Sequence, residues 1–436
     1  MRGSSSVTLQ LYKRQLLRLL RLCWDLLPMI KQRADLTFKY NLKHGRHSWL
    51  RLTPAYSIKI VQQILAHNPT ITHVLDPFSG TGTTGLVCAE NNVHCDLTDI
   101  NPFLVWFATA KTANYATEDL REAQESVPAI CEYTRDIHRT GQLWFPAIHN
   151  IHRWWSEKRL IALAEIYRAI NHFYPSASPA RDLLLITFCN LVIQWSNAAF
   201  NHQSMSFKDT SVKQLTLFDE EQEIIRQFSS IAERIIASAH RPLAGTARVF
   251  LEDARQLRTL DHNAYDCVIT SPPYPNRMSY IRELRPYMYW LGYLTDGRKA
   301  GELDWQAIGG TWGIATSRLK SWEPNGTPIS YPGFEKMIAD IADQSSTLAN
   351  YVHRYFIDIA KHLQNLYAIL LPGARIFYIV GNSRFYDTVV PVEKIYATLI
   401  ENCGFMNTNI EVIRKRNSKK ELFEYIVSAA KPNTRE

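Results

Sequence analysis

A short buried strand that runs into a glycine loop and then into a helix constrains this chain more than any other stretch. Residues 73–78, His-Val-Leu-Asp-Pro-Phe, read as a strand covered on both faces. Ser79-Gly80-Thr81-Gly82-Thr83-Thr84-Gly85 follow, before Leu86, Val87 and Ala89 set a helical pattern. Glycines let the backbone turn sharply and come close to a ligand, and the free amides at the helix start favour negative charge. A second strand, 93–99, ends in Asp99, at the spacing where an acid meets the hydroxyls of an adenosine ribose. The loop has no lysine of the kind that a triphosphate loop carries, which disfavours phosphoryl transfer. Asp76 would repel a pyrophosphate and suits instead a ligand with a positive ammonium or sulfonium. The pattern predicts an α/β fold.

A second rigid corner lies at Ser271-Pro272-Pro273-Tyr274. It ends the apolar, β-branched run 265–270, which reads as another buried parallel strand. Two prolines stop any hydrogen-bonded element and hold the serine extended. Open α/β sheets bind ligands at such strand ends. Ser271 offers a hydroxyl acceptor, Pro272 a carbonyl and Tyr274 a flat face on which a planar base stacks. The plainer alternative is a strand-ending turn in which Tyr274 only fills the core.

The chain has 436 residues, enough for two or three domains or for one domain with large insertions. Its net charge of +8 and pI near 9.0 suit a polyanionic partner. Over residues 1–51 eleven Lys or Arg face two acids, Asp25 and Asp35, and the apolar spacing of 8–30 predicts an amphipathic helix with a basic face. That face fits phosphate contact and plain solvation equally. The apolar stretch 16–30 is broken by Arg18, Arg21, Asp25 and Pro28, so no membrane span is expected. Seven scattered cysteines without Cys-x-x-Cys spacing predict neither a zinc site nor a disulfide framework, and point to a reducing cytoplasm. His44 and His47 have no acid or cysteine at ligand spacing, so no metal is expected.

Taken together, the loop at 76–84 and the tetrapeptide at 271–274 resemble the cofactor and catalytic motifs of amino-methylating, S-adenosylmethionine-dependent DNA methyltransferases. The serine form of the second motif resembles the cytosine-N4 type; an acid or asparagine usually stands there in the adenine-N6 type. The resemblance implies a Rossmann-like methyltransferase fold with a mostly parallel seven-stranded sheet, a helical insertion and an irregular recognition region. It also implies S-adenosylmethionine as cofactor, with Asp76, Phe78, Gly80 and Gly82 shaping its pocket, Thr83 and Thr84 near its carboxylate, Asp99 on the ribose and Asp253 on the adenine amino group. Ser271, Pro272, Pro273 and Tyr274 would be catalytic. Double-stranded DNA is the implied substrate, flipped one base at a time, and a cognate restriction endonuclease the implied companion, in the cytoplasm of a bacterium or archaeon. Residues 371–383 resemble a later core strand, whereas 52–55 match the family's motif before the glycine loop only loosely, and the long segment before Asp253 is unusual for it. An adenine-N6 enzyme, an RNA or tRNA methyltransferase, a protein-glutamine methyltransferase and a catalytically silent DNA-binding subunit remain alternatives.

The rest of the chain falls into blocks: a basic amino-terminal arm (1–57), a catalytic domain in three pieces (58–111, 247–294 and 373–436), a helical insertion (112–246) and a region at 295–372. Within the insertion, apolar spacing predicts helices over 118–135, 154–173, 181–200 and 219–240, with Trp154 and Trp155 in the core. Asn197 to Lys208 reads as a polar helix end and loop, with base or phosphate contact as second choice. Arg277, Arg282 and Arg285, interleaved with tyrosines beside the second motif, suit a phosphate backbone. The glycines and prolines of 295–333 predict a loop-like recognition region carrying Trp305, Trp312 and Trp322, with a mobile lid as second choice, and a long helix is expected over 338–370. At the carboxyl end a helix over 392–403 is closed by Gly404, and strands at 409–413 and 424–429 flank the basic turn 414–420.

Overall fold

The computed structural model describes residues 31–433 apart from 53–54, 136–140, 200–205, 209–218, 312, 325–327 and 417–420. The basic helix expected over 8–30 and Trp312 lie outside the described residues.

Helix α1 (Ile58–His67) leads into strand β1 (His73–Asp76), helix α2 (Thr83–Glu90), strand β2 (His94–Asp99) and helix α3 (Pro102–Thr112). Four long helices follow: α4 (Thr117–Arg135), α5 (Glu157–Phe173), α6 (Pro179–Gln194) and α7 (Glu220–Ala239). Strands β3 (Ala247–Leu251) and β4 (Tyr265–Thr270) return the chain to the sheet. Beyond them lie α8 (Tyr280–Trp290), α9 (Gly297–Gln306), α10 (Ile314–Lys320), α11 (Phe334–Ala342) and α12 (Ser346–Ile369). The chain ends in β5 (Leu370–Gly381), a small hairpin of β6 (Ser383–Phe385) and β7 (Thr388–Val390), helix α13 (Val392–Asn402), and strands β8 (Met406–Lys415) and β9 (Phe423–Ala430).

Seven strands form one mixed sheet in the order β8-β9-β5-β4-β1-β2-β3. Pairing is parallel from β5 through β3, and β9 runs antiparallel to both of its neighbours. The fold is therefore α/β, with the mostly parallel, Rossmann-like sheet that the motifs predict. Successive side chains of a strand point to opposite faces, and both faces are covered. Ile376, Tyr378 and Val380 of β5 join Leu75 and Val268 under α12 and α13. Phe377 and Ile379 join Val74, Cys95, Cys267 and Ile269 under α1 and α2. Continuous apolar runs are what strands buried on both sides require.

The helical insertion builds its own core, and that core reaches further than 112–246. Trp49 and Leu50 from the segment before α1 belong to it, as do Ile281, Leu284 and Trp290 from α8. The Trp290 ring packs edge-on to Trp155 at 5.9 Å and to Phe188 at 5.3 Å. Trp154 and Trp155 are buried here, stacked at 5.8 Å. Helix α8, directly after the Ser-Pro-Pro-Tyr corner, thus ties the sheet to the insertion.

Two expectations need correction. The region 295–333 contains helices α9 and α10: Gly297 is the first residue of α9, capped by the Asp296 side chain, and Gly313 caps α10 at φ +60°. Trp305 is engaged within the fold, with the Arg354 guanidinium 3.7 Å from its ring centroid. The long helix over 338–370 is two helices, because Ser345 turns out of helical conformation and its side chain accepts from the Leu348 amide, starting α12 afresh.

Candidate active site

Parallel pairing of β4, β1, β2 and β3 brings their carboxyl ends to one side. Leu75 stands opposite Val268, and Asp99 opposite Leu251, so the loops after Asp76, Asp99, Leu251 and Thr270 emerge together. Between them lies a cleft of about 950 Å³, its mouth included, lined by Phe78, Ser79, Gly80, Thr81, Thr83, Asp99, Glu252, Asp253, Ser271 and Pro273 among others. The glycine loop and the Ser-Pro-Pro-Tyr corner therefore face one space.

Asp76 does not line it. Its carboxylate is fully buried and accepts from the Thr270 hydroxyl at 2.6 Å, the Thr84 hydroxyl and the Phe78 amide at 3.1 Å. Burial pushes its pKa up to about 6 in spite of these donors. The residue braces β1, the loop and β4 from beneath and does not touch the ligand space. Thr84 shares that role, since Tyr56 also bonds its hydroxyl. Gly82 faces away too: at φ +69° it starts α2, and a Cβ there would sit 3.0 Å from the Cβ of Ala108. Gly80, at φ +51°, does line the cleft and donates its amide to Asp99 at 3.0 Å. Asp99 also accepts from the Asn101 amide at 2.8 Å; burial raises its pKa to about 7.

Just past β3, on the same side as Asp99, burial opposes the charge of Asp253, but the Arg255 guanidinium grips it at 2.8 Å and holds its pKa below the ordinary value. Arg255 in turn bonds Asp358 and the Gln306 carbonyl, which joins this side to α9 and α12. Phe78 lies against the imidazole of His362 at 4.9 Å. His362 is fully buried between the Ala254 carbonyl (2.7 Å) and the Tyr378 hydroxyl (2.6 Å), and burial lowers its pKa to about 4, so it is neutral. Beneath the glycine loop, Lys111 is buried with its Nζ donating to the Thr81 carbonyl at 2.8 Å, and burial lowers its pKa to about 7.

Ser271 lies where two hollows meet. It lines the cleft and also a second cavity formed with Pro272, Tyr274, Asn276, Met278, Tyr280, Arg414, Arg416 and Glu424. Its hydroxyl donates to the Ile379 carbonyl at 3.2 Å, which leaves oxygen lone pairs to accept. The Tyr274 hydroxyl donates to Glu424 at 3.0 Å, and Glu424 is itself held by Arg414 at 2.7 Å. The Arg416 guanidinium lies 5.2 Å from the Tyr274 ring centroid. The Tyr355 hydroxyl donates to the Pro273 carbonyl at 2.8 Å. Of the three arginines, Arg277 is exposed beside this cavity. Arg282 and Arg285 sit half-buried on α8, the latter 5.9 Å from the Trp154 ring.

Pattern reading missed Lys111, His362 and Glu424, whose partners Thr81, Ala254 and Tyr274 lie far off in sequence, whereas Arg414 and Arg416 belong to the basic run 414–420 that fitted contact and plain exposure equally. The one available signal was a charge inside an otherwise apolar element, as at Lys111 and Glu424.

The amino-terminal part of the sheet, residues 58–136, matches the family described as D12 class N6 adenine-specific DNA methyltransferase. Over 90% of its length the chain is 21% identical to the Type II methyltransferase M.BsoBI of Geobacillus stearothermophilus, covering 85% of that protein. It is 22% identical to the Type II methyltransferase M.AvaI of Anabaena variabilis, with 89% and 86% covered. These matches support a DNA methyltransferase. Among solved structures, a DNA modification methylase of Thermus thermophilus complexed with S-adenosyl-L-methionine is similar at 16% identity over 28% of this chain and 52% of that one, with a TM-score of 0.17, too slight to bear on function.

The cleft suits S-adenosylmethionine, the cofactor that the motifs at 76–84 and 271–274 imply. One wall carries the carboxylates Asp99, Glu252 and Asp253, and the others are apolar, from Leu52, Phe78, Leu104 and Ile308. Ser79 lines the cleft, and its hydroxyl is buried without a hydrogen-bond partner among the described residues. Among the described residues there is no cluster of metal-ligating side chains, no helix is long and apolar enough to cross a membrane, and the six cysteines are unpaired.

Proposed function

We propose that the chain methylates the exocyclic amino nitrogen of a base in duplex DNA, with cytosine N4 as the acceptor and the base turned out of the helix into the cavity beside Tyr274. The observation that carries the reading is the position of Ser271, which lines both the cofactor cleft and the second cavity. When bound, S-adenosylmethionine supplies an electrophilic methyl on a sulfonium. Everything else falls to the chain's own residues. An exocyclic amine conjugated with its ring is a poor nucleophile. Acceptors at Ser271 Oγ and the Pro272 carbonyl hold its hydrogens and favour the geometry that frees its lone pair. No strong base is needed, because the amine proton becomes acidic only as positive charge develops. Neutral His362, engaged at both nitrogens, serves the architecture. The Tyr274 ring, fixed through Glu424 and Arg414, offers the face that replaces lost stacking.

Adenine N6 is the second reading, favoured by the family matched at residues 58–136. The serine at 271 favours cytosine. A companion restriction endonuclease fits the Type II relatives and belongs to the same proposal. Incubation with methyl-labelled cofactor and bulk duplex DNA, followed by digestion to nucleosides, decides between the two bases: label in N4-methylcytosine is expected. Label in N6-methyladenine would move the acceptor, and absence of label from DNA would end the reading.

A further inference from the structure

Past Gly381 the chain forms the hairpin β6–β7, closed by the two-residue turn Tyr386–Asp387. It is held against the fold at both ends: Val390 is buried at its base, and Phe385, next to the turn, is buried and packs edge-on to Tyr351 at 6.1 Å. Its turn is in solvent: Tyr386 is 53% exposed beside the exposed Asp387, and Val389, paired with Arg384 further down the hairpin, is 47% exposed. Tyr386 also has φ +52°, a left-handed conformation that glycine or asparagine adopts cheaply and a bulky side chain does not. Neither burial nor local backbone preference explains an aromatic ring at that place, and such outliers gather at functional sites.

The surroundings supply a reason. Tyr386 lines a cavity with Arg277, Arg384, Arg416, Asn276 and Ser383, and two of these, Asn276 and Arg416, also line the cavity that holds Ser271 and Tyr274. Asp387 is the hairpin's only acid, and its carbonyl accepts from Arg384 at 3.4 Å. An exposed ring, three cations and Ser271 thus line two adjoining cavities.

We infer that this hairpin is the element that enters the duplex: Tyr386 fills the gap in the base stack left by the extruded base, while Arg277, Arg384 and Arg416 hold the neighbouring phosphates. The inference rests on the reading of the chain as an enzyme that acts on a base within duplex DNA. Extrusion costs stacking and pairing, and an aromatic ring in the vacated step recovers part of that cost. Phosphate contacts fix the register in which the ring meets the gap.

The test begins with the wild-type protein, whose target base is mapped by sequencing the DNA that it has modified. Two duplexes are then compared, one with the target base normally paired and one with it opposite an abasic site, where extrusion is already cheap. Tyr386→Asn keeps the left-handed turn and removes the ring; Tyr386→Phe keeps the ring. The asparagine variant is expected to methylate the paired duplex at least about tenfold more slowly, to stay within about threefold of wild type on the abasic-opposed duplex, and to bind cofactor normally. Tyr386→Phe is expected to match wild type on both. Should Tyr386→Asn melt early, Tyr386→Gly carries the same comparison. Equal loss on the two duplexes, or loss on neither, overturns the inference. A wild-type protein that methylates no DNA overturns the underlying reading first, and is seen before any variant is made.

Discussion

At the scale of single residues, the site divides into groups that face ligand space and groups that hold those in place. Asp76 belongs to the second kind and Asp99 to the first. Both are pushed upward by burial, yet only Asp99 lines the cleft. If ribose hydroxyls donate to Asp99, they favour its ionised form, so binding draws the proton off. Cofactor affinity should then rise as pH increases from 6 to 8 through the raised value near 7, and the dependence should flatten in Asp99→Asn; titration calorimetry at several pH values reads both. Gly381 is a second informative residue. A Cβ there would fall 2.9 Å from Cε2 of Tyr274 and closer still to the Arg416 guanidinium. Gly381→Ala should therefore displace the Tyr274 ring, lowering methylation on the order of 10²-fold while cofactor affinity holds. The role of Asp76 could not be read from the chain, because the hydroxyls that occupy it, Thr84 and Thr270, come from different elements. Asp99 was legible because the strand-loop-helix-strand unit fixes it by spacing alone.

Among elements, those buried on both sides were the most legible. Strands β1, β4 and β5 appear in the sequence as apolar runs stopped by glycine or proline, since most of their side chains never meet water. Helices α9 and α10 were hidden by their glycines, which do not break them: Gly297 and Gly313 stand at helix starts, and Gly301 lies where an added Cβ would meet Ile314 at 3.3 Å. Counting glycines as breakers fails where a glycine marks a cap or a close approach. The insertion was legible as helices, but its hold on α8 was not, because that hold depends on tertiary packing. Trp290 is the test of it. The ring is fully buried among Trp155, Phe188 and Tyr167, so Trp290→Ala should cost about 3–5 kcal/mol of stability in denaturant unfolding. Destabilisation of well under 1 kcal/mol would show the insertion to be docked by other means.

For the molecule as a whole, one sheet gathers the loops of four strands at one end, and the insertion, joined through α8, stands beside them. The positive charge that distinguishes the composition is placed where it matters least ambiguously at Arg277, Arg384 and Arg416, which line a cavity next to Ser271's. Duplex binding should weaken steeply with salt. Replacing those three arginines with alanine should reduce the slope of log K against log salt by about 0.9 for each phosphate that is no longer neutralised, measured by fluorescence anisotropy. An unchanged slope would send the DNA to another face. The decisive measurement is methyl transfer to duplex DNA by Ser271→Ala, read beside its cofactor affinity. If the serine hydroxyl holds the reacting amine, transfer falls by roughly 10²-fold, as when one preorganised polar partner of a reacting group is removed, while cofactor binds as in wild type. Transfer at the wild-type rate would contradict that role.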